Sequence, residues 1–191
     1  MPCVHLHIDR AAGATFAAPA FATVRAMAER HIDIVRAALQ QRADRGAFRG
    51  LDEPKGRGGR TEFQFKWLLD RIFTVVVDDK HGVLTLQNAL PNVGPRSQMD
   101  RELRQWAAAR ADAKLPPHRR VQPGRAELSL VNRGGNVSLR LKVKRNQYAY
   151  AIKKLLDLTN ELFGYLQLDQ QQYLWDELNV PQVYGLWHGR L

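Results

Sequence analysis

The sequence predicts an α+β fold of two layers, with an antiparallel sheet of about five strands and helices packed on one of its faces. Apolar residues recur at helical spacing in three separate segments, and five short segments are rich in β-branched, aromatic or alternating residues. The order of these segments is helix, three strands, helix, two strands, helix. This order points to an antiparallel sheet that helices cover on one side.

The first helix is predicted to begin near Pro19 or Ala20, because proline suits the first turn of a helix. A flexible basic loop is predicted over residues 50–60, which contain four glycines and one proline. The basic residues of this loop make it a candidate anion-binding tip: Lys55, Arg57 and Arg60.

Three strands are predicted next, at Glu62–Trp67, Ile72–Val77 and Val83–Leu90. Asp78 and Asp79, with His81 beside them, are candidates for a pair of catalytic acids. Neighbouring residues of a strand point to opposite faces, however, so a turn before Gly82 is the favoured interpretation.

The remaining elements are predicted from their caps and turns. Ser97 is the expected N-cap of a second helix that runs to about Ala113. Two strands joined across an Asn-Arg-Gly-Gly-Asn turn form a hairpin, since these residues tolerate positive φ. Asn146 is the expected cap of a long third helix. The bounds of the hairpin strands and of a last, short helix are Glu127–Val131, Val137–Val143 and Gln170–Leu178.

This order of elements, over about residues 20–166, is similar to the layout of the type III secretion chaperone-like fold, which is the alternative fold class. The resemblance is one of element order. Chaperones of that family are typically acidic, whereas this chain has a formal net charge of +10. No function is therefore carried over from the resemblance.

A chain of 191 residues is expected to form one domain. Residues 1–19 are predicted to be an N-terminal arm or short strand, residues 20–191 the domain, and residues 168–191 its aromatic tail. The one cysteine, Cys3, gives no sign of an oxidising compartment. With no secretory signal or transmembrane segment recognised, a cytoplasmic location without a membrane partner is expected.

Positive charge is concentrated in residues 114–145, which hold nine basic residues and one acidic residue. On the second hairpin strand the basic residues alternate with apolar ones, which spaces them about 6.6 Å apart, near the phosphate spacing of a nucleic acid. The alternative is an exposed strand that is charged only to prevent edge aggregation. The candidate anion-binding residues of this region are Arg119, Arg120, Arg125, Arg133, Arg140, Lys142, Lys144 and Arg145.

These features favour a non-enzymatic binding protein with a basic face for an anionic partner, either nucleic acid or an acidic protein. Two alternatives are an adaptor or chaperone-like homodimer, paired through residues 148–187, and an enzyme whose site is not visible in the sequence. His5, His7 and Asp9 have the spacing of metal ligands on one strand face, but no further ligand is identifiable. The sequence therefore predicts neither a metal site nor a cofactor.

Overall fold

The computed structural model describes residues 18–54 and 59–180. Over these residues the chain forms four α-helices and six β-strands. In chain order they are α1 Ala18–Asp44, β1 Arg49–Asp52, β2 Arg60–Trp67, β3 Arg71–Asp78, β4 Val83–Leu90, α2 Gln98–Ala109, β5 Ala126–Arg133, β6 Asn136–Val143, α3 Tyr148–Asp169 and α4 Gln171–Leu178.

The strands form one antiparallel sheet in the order β1-β2-β3-β4-β6-β5, which confirms the predicted α+β fold of two layers. The sheet has six strands where about five were expected. The additional strand, β1, pairs with β2 through Arg49 and Lys66 and falls at the start of the predicted flexible loop. Its sequence, Arg-Gly-Leu-Asp, has one apolar residue and thus no alternation from which a strand is predicted.

Alternate residues divide the sheet into a face covered by helices and an open face. On the covered face, a buried row crosses five strands: Phe63, Val75, Leu86, Leu139 and Leu130. On the open face, the neighbouring row combines polar, charged and apolar residues: Glu62, Val76, Thr85, Arg140 and Ser129. The predicted alternation along β6 is confirmed, since its apolar residues face the helices and its basic residues are exposed.

The helical layer is organised around α3, which packs against β4 and β6. Its residues Leu155, Leu158 and Leu162 are fully buried. The α1 helix packs beside α3 and buries Val35 and Leu39, while α2 packs against β5. Each such buried leucine contributes about 1.5–3 kcal/mol through removal of its surface from water.

Turn and cap chemistry accounts for most element boundaries. The Ser97 hydroxyl accepts a hydrogen bond from the backbone N–H of Asp100 at 3.1 Å, which confirms the predicted N-cap. The predicted hairpin is also confirmed, with Gly134 and Gly135 at φ 57° and 91° between β5 and β6. Asn146 is not the cap of α3. It has a φ of 56° and lies in the preceding turn, because asparagine tolerates this conformation, and Gln147 caps the helix without a side-chain hydrogen bond.

Candidate anion-binding site

The site is built on the connection between α2 and β5, residues 110–125, which lies against α3. α2 ends at Ala109 rather than near Ala113, so this connection is longer than predicted. Three hydrogen bonds fix it. The N–H of Val121 donates to the carbonyl of Arg110 at 2.8 Å, the N–H of Gln122 donates to the Tyr150 hydroxyl at 2.9 Å, and the Lys154 ammonium donates to the carbonyl of His118 at 2.5 Å.

This packing gathers basic side chains from the connection, the turn after β6 and α3. The Lys144 N–H donates to the Arg125 carbonyl at 2.8 Å, which extends the β5–β6 pairing towards the connection. Arg110 and Arg119 share the carboxylate of Glu161 at 3.2 and 3.8 Å. We call the assembled group the basic corner, and its seven members are Arg110, Arg119, Arg120, Arg125, Lys144, Arg145 and Lys154.

Cations exceed carboxylates in the basic corner. Among the described residues, the carboxylates paired with its members are Glu161 and Glu127, the latter 3.3 Å from Lys144. Asp157, one turn from Lys154 on α3, is held by Arg42 at 2.8 Å. The corner thus has a surplus of positive charge that its own carboxylates do not neutralise.

Two of these cations are taken out of water by the fold. Arg110 is nine-tenths buried, and burial lowers the pKa of its guanidinium despite the nearby Glu161. Burial also lowers the pKa of the Lys154 ammonium, whose hydrogen-bond acceptor is a neutral carbonyl. A partly desolvated cation interacts more strongly with an incoming anion than a fully hydrated one does.

Three side-chain donors of this region are buried and meet no acceptor among the described residues: the Nε atoms of Arg110 and Arg120 and the Nε1 atom of Trp106. The Arg110 guanidinium lies over the Trp106 ring at 4.6 Å, and that of Arg125 lies over the Tyr150 ring at 5.3 Å. These stacking contacts hold two arginines in defined positions, which lowers the entropy that they lose on binding.

A pocket of about 160 Å³ opens beside the basic corner, between α2 and β5. Its walls are mainly small apolar side chains, and Glu127 and Lys144 form its polar edge. The apolar wall includes Ala107, Ala108, Ala111, Val121 and Leu128.

The structure divides the predicted anion-binding residues among several places. Five of them belong to the basic corner, whereas Arg140 and Lys142 are exposed on the open face of the sheet. Arg133 lies at the other end of the β5–β6 hairpin, about 23 Å from the corner at roughly 3.3 Å per residue. Arg60 is paired with Asp78 at 3.0 Å. Lys55 and Arg57 lie outside the described residues.

Arg110 and Lys154 belong to the corner but are not among the sequence candidates. Lys154 stands in α3 and Arg110 directly follows α2, and a basic residue at such positions is typical of a solvated surface. The signal that distinguishes Lys154 is its position within the apolar stripe of α3, between Ala151 and Leu155, which are both fully buried.

The two candidate acids at the β3–β4 turn face different neighbours, in agreement with the turn interpretation. Asp78 accepts hydrogen bonds from Arg60 and lies 2.7 Å from His81 Nδ1. Burial raises the pKa of Asp78, but these hydrogen bonds outweigh it and leave the pKa below its ordinary value. Asp79 instead binds the helical layer, through the Tyr148 hydroxyl at 2.9 Å and His31 Nδ1 at 2.8 Å.

Within residues 18–54 and 59–180, no group of three or more histidine, cysteine or acidic side chains is arranged to hold a metal ion. His5, His7 and Asp9 lie outside this part of the chain. None of the helices in the same part combines the length and the apolar character needed to span a membrane.

Comparison of the chain with protein-family models, with curated proteins and with solved structures finds no match, so the function proposed for it rests on the geometry of its own residues.

Proposed function

We propose that this protein is a non-enzymatic binding protein that engages an anionic macromolecule through the basic corner. The observation that carries the proposal is the surplus of cations that the 110–125 connection, the turn after β6 and α3 bring together. The ion pairs of Glu161 and Glu127 leave most of this charge available to a ligand.

The arrangement suits an extended anionic partner better than a small metabolite. Arg119, Arg125 and Arg145 are exposed, while Arg110 and Lys154 are buried beneath them. A partner therefore meets an outer layer of exposed cations that accelerates encounter. The positive potential of the inner layer is less screened by solvent and adds to the attraction at short range.

The proposal is tested by binding measurements on the full chain. The probes are a fluorescein-labelled hexaglutamate peptide and a labelled single-stranded 20-nucleotide DNA, titrated at several salt concentrations. Arg119→Gln/Arg125→Gln/Arg145→Gln removes three charges from the corner. Lys66→Gln/Arg133→Gln/Arg140→Gln, the hairpin variant, removes the same charge from exposed residues of the β2–β3 and β5–β6 hairpins, away from the pocket.

We expect the corner variant to lose about tenfold or more in affinity and to show a weaker salt dependence, because each lost cation contact removes counterion release or ion pairing. The hairpin variant retains most of the affinity. If neither probe binds the unmodified chain, or if the hairpin variant loses more affinity than the corner variant, the proposal is wrong.

A second candidate function is a protein-interaction module that forms a homodimer through residues 148–187. Its support is the exposure of two large apolar residues in this segment, Leu168 on α3 at 81% and Trp175 on α4 at 49%. Exposed apolar side chains in the same segment are typical of interaction surfaces. Light scattering at micromolar concentration tests this candidate, since a monomer mass would contradict it.

A further inference from the structure

We infer that the partner of the basic corner is an acidic peptide segment that inserts one aliphatic side chain into the pocket between α2 and β5. The inference rests on the proposed function and assigns a chemical class to the partner. It depends on three features of the described residues: the size and lining of the pocket, the cations beside it, and the covered state of the nearby aromatic rings.

The pocket has the size and chemistry for a single apolar side chain. Its volume is about 160 Å³, and apolar cavities of about 150 Å³ hold a molecule as large as benzene. The exposed methyl groups of Ala108 and Ala111 lie on its outer side, and the buried Val121 lies deeper. Small side chains on a helix leave room that an aliphatic group of a partner fills.

Cations stand directly beside this pocket. Lys144 lines it, Arg125 immediately precedes the lining residue Ala126, and Arg145 follows Lys144. In an extended peptide, alternate side chains are about 6.6 Å apart and neighbouring ones point to opposite sides. A peptide with acidic residues around one aliphatic residue therefore places carboxylates near these cations while the aliphatic group enters the pocket.

Nucleic acid fits this surface less well. Single strands are bound by stacking bases on exposed aromatic rings. The two aromatic rings of the corner, Trp106 and Tyr150, are covered by Arg110 and Arg125, and Trp106 is itself buried. Alanine methyl groups, in turn, offer no hydrogen-bonding partner to the edge of a base.

The test compares two fluorescein-labelled peptides of equal charge, Glu-Glu-Leu-Glu-Glu and Glu-Glu-Ala-Glu-Glu, for binding to the full chain. We expect the leucine peptide to bind about tenfold more tightly, since only it buries a large aliphatic group. Ala108→Leu, at an exposed position of α2, fills the pocket and should bring the affinity of the leucine peptide down to that of the alanine peptide. Thermal denaturation confirms that the variant is folded.

The outcomes separate this inference from the proposed function. Equal affinity for the two peptides, or an unchanged preference for the leucine peptide in Ala108→Leu, overturns the inferred aliphatic anchor. Salt-dependent binding of both peptides would still support the proposed function. Tighter binding of the single-stranded DNA than of the leucine peptide overturns the peptide partner. If the chain self-associates and Ala108→Leu abolishes this association, a second copy of the chain occupies the pocket, and the inferred peptide partner is wrong. If no anionic probe binds, both the inference and the proposed function fail.

Discussion

The ammonium of Lys144 lies 3.3 Å from the carboxylate of Glu127 at the edge of the pocket between α2 and β5. Both side chains are substantially exposed, and exposed ion pairs contribute about 0–1 kcal/mol. Glu127 is therefore paired with a cation that the proposed acidic partner requires, but the ion pair is weak enough for a carboxylate of the partner to displace Glu127.

Glu127→Gln is expected to strengthen the binding of the Glu-Glu-Leu-Glu-Glu peptide by about two- to threefold at low salt, because it frees Lys144 and removes a repulsive charge. Fluorescence anisotropy at two salt concentrations measures the change, and the gain should shrink as salt screens the corner. Asp176→Asn, an exposed carboxylate on α4, gives the same change in net charge and is expected to have a smaller effect. Weaker binding by Glu127→Gln would contradict the competing role of Glu127.

Tyr148→Phe is expected to destabilise the fold by about 1–2 kcal/mol, since Asp79 loses a hydrogen bond in a largely buried setting. The Tyr148 ring also stacks on His31 at 4.2 Å, and phenylalanine retains this contact. Urea denaturation at pH 7 measures the loss. Tyr165→Phe is the matched control, because the hydroxyl of Tyr165 forms no hydrogen bond within the described residues. An equal loss of unfolding free energy in both variants would show that the hydrogen bond to Asp79 does not stabilise the fold.

The same variant changes the alkaline behaviour of the protein. Burial, with Asp79 nearby, raises the pKa of Tyr148 well above its ordinary value of about 10. The resulting stability is complete below the unfolded-state pKa and is lost as the pH rises from there towards the folded-state pKa. We expect stability to fall less between pH 9 and pH 11 in Tyr148→Phe than in the unmodified chain, as followed by circular dichroism.

Asp100→Asn is expected to cost about 2–3 kcal/mol at pH 7, because the carboxylate is almost fully buried and accepts hydrogen bonds from Arg104 and Asn132. Burial raises the pKa of Asp100, but these bonds and that from the N–H of Arg96 leave it below its ordinary value. Its contribution is thus complete above about pH 3.9 and is lost as the pH falls towards the lowered folded-state pKa.

Acid titration of stability tests this sign. The unmodified chain should lose stability below about pH 4 more steeply than Asp100→Asn does, since the variant has already lost the titrating group. Asp169 is an exposed carboxylate at the end of α3, and Asp169→Asn is expected to leave the loss of stability below about pH 4 unchanged. If the unmodified chain and Asp100→Asn lose stability equally steeply below about pH 4, the pKa of Asp100 is not below its ordinary value.

Gly135→Ala is expected to destabilise the β5–β6 hairpin by about 1 kcal/mol or more, because Gly135 has a φ of 91°, which side-chain-bearing residues rarely adopt. The added methyl group would meet the Asn92 backbone at 3.7 Å, an ordinary van der Waals contact, so the expected cost comes from the backbone conformation. Gly124→Ala is the control. Its φ is outside the left-handed region and no atom lies within 4 Å of the new methyl group, so its thermal unfolding temperature should stay equal or rise slightly.

Local patterns were sufficient to predict most of the fold. The glycine-containing turn predicted the β5–β6 hairpin, although its loop is the two residues Gly134 and Gly135 rather than the five expected. The alternation along β6 determines which of its side chains face the helices. Both depend on residues within a few positions of each other. The strand β1 was missed because its position in the sheet comes from pairing with β2 rather than from its own residues.

The site was predicted only in part, because it depends on contacts between distant segments. Arg119 and Arg120 lie within six positions of Arg125 in the chain, so the sequence predicted all three as one group of anion-binding residues. Their neighbour Lys154 is joined to them through the carbonyl of His118, which is 36 residues away in sequence. Arg140 is separated from Lys144 by distance along the chain, since four extended residues at roughly 3.3 Å each place the two about 13 Å apart.

The hydrogen bond from Lys154 to His118 also couples ligand binding to folding. Arg110 and Lys154 are brought to the 110–125 connection and its neighbours only when α3 has docked, so an unfolded chain presents these two cations as scattered charges without the pocket. A partner that recognises the assembled corner binds the native state alone, and at a concentration one hundred times its Kd it would raise the free energy of unfolding by about 2.7 kcal/mol. The melting temperature of the chain is therefore a direct reporter with which unlabelled partners can be ranked.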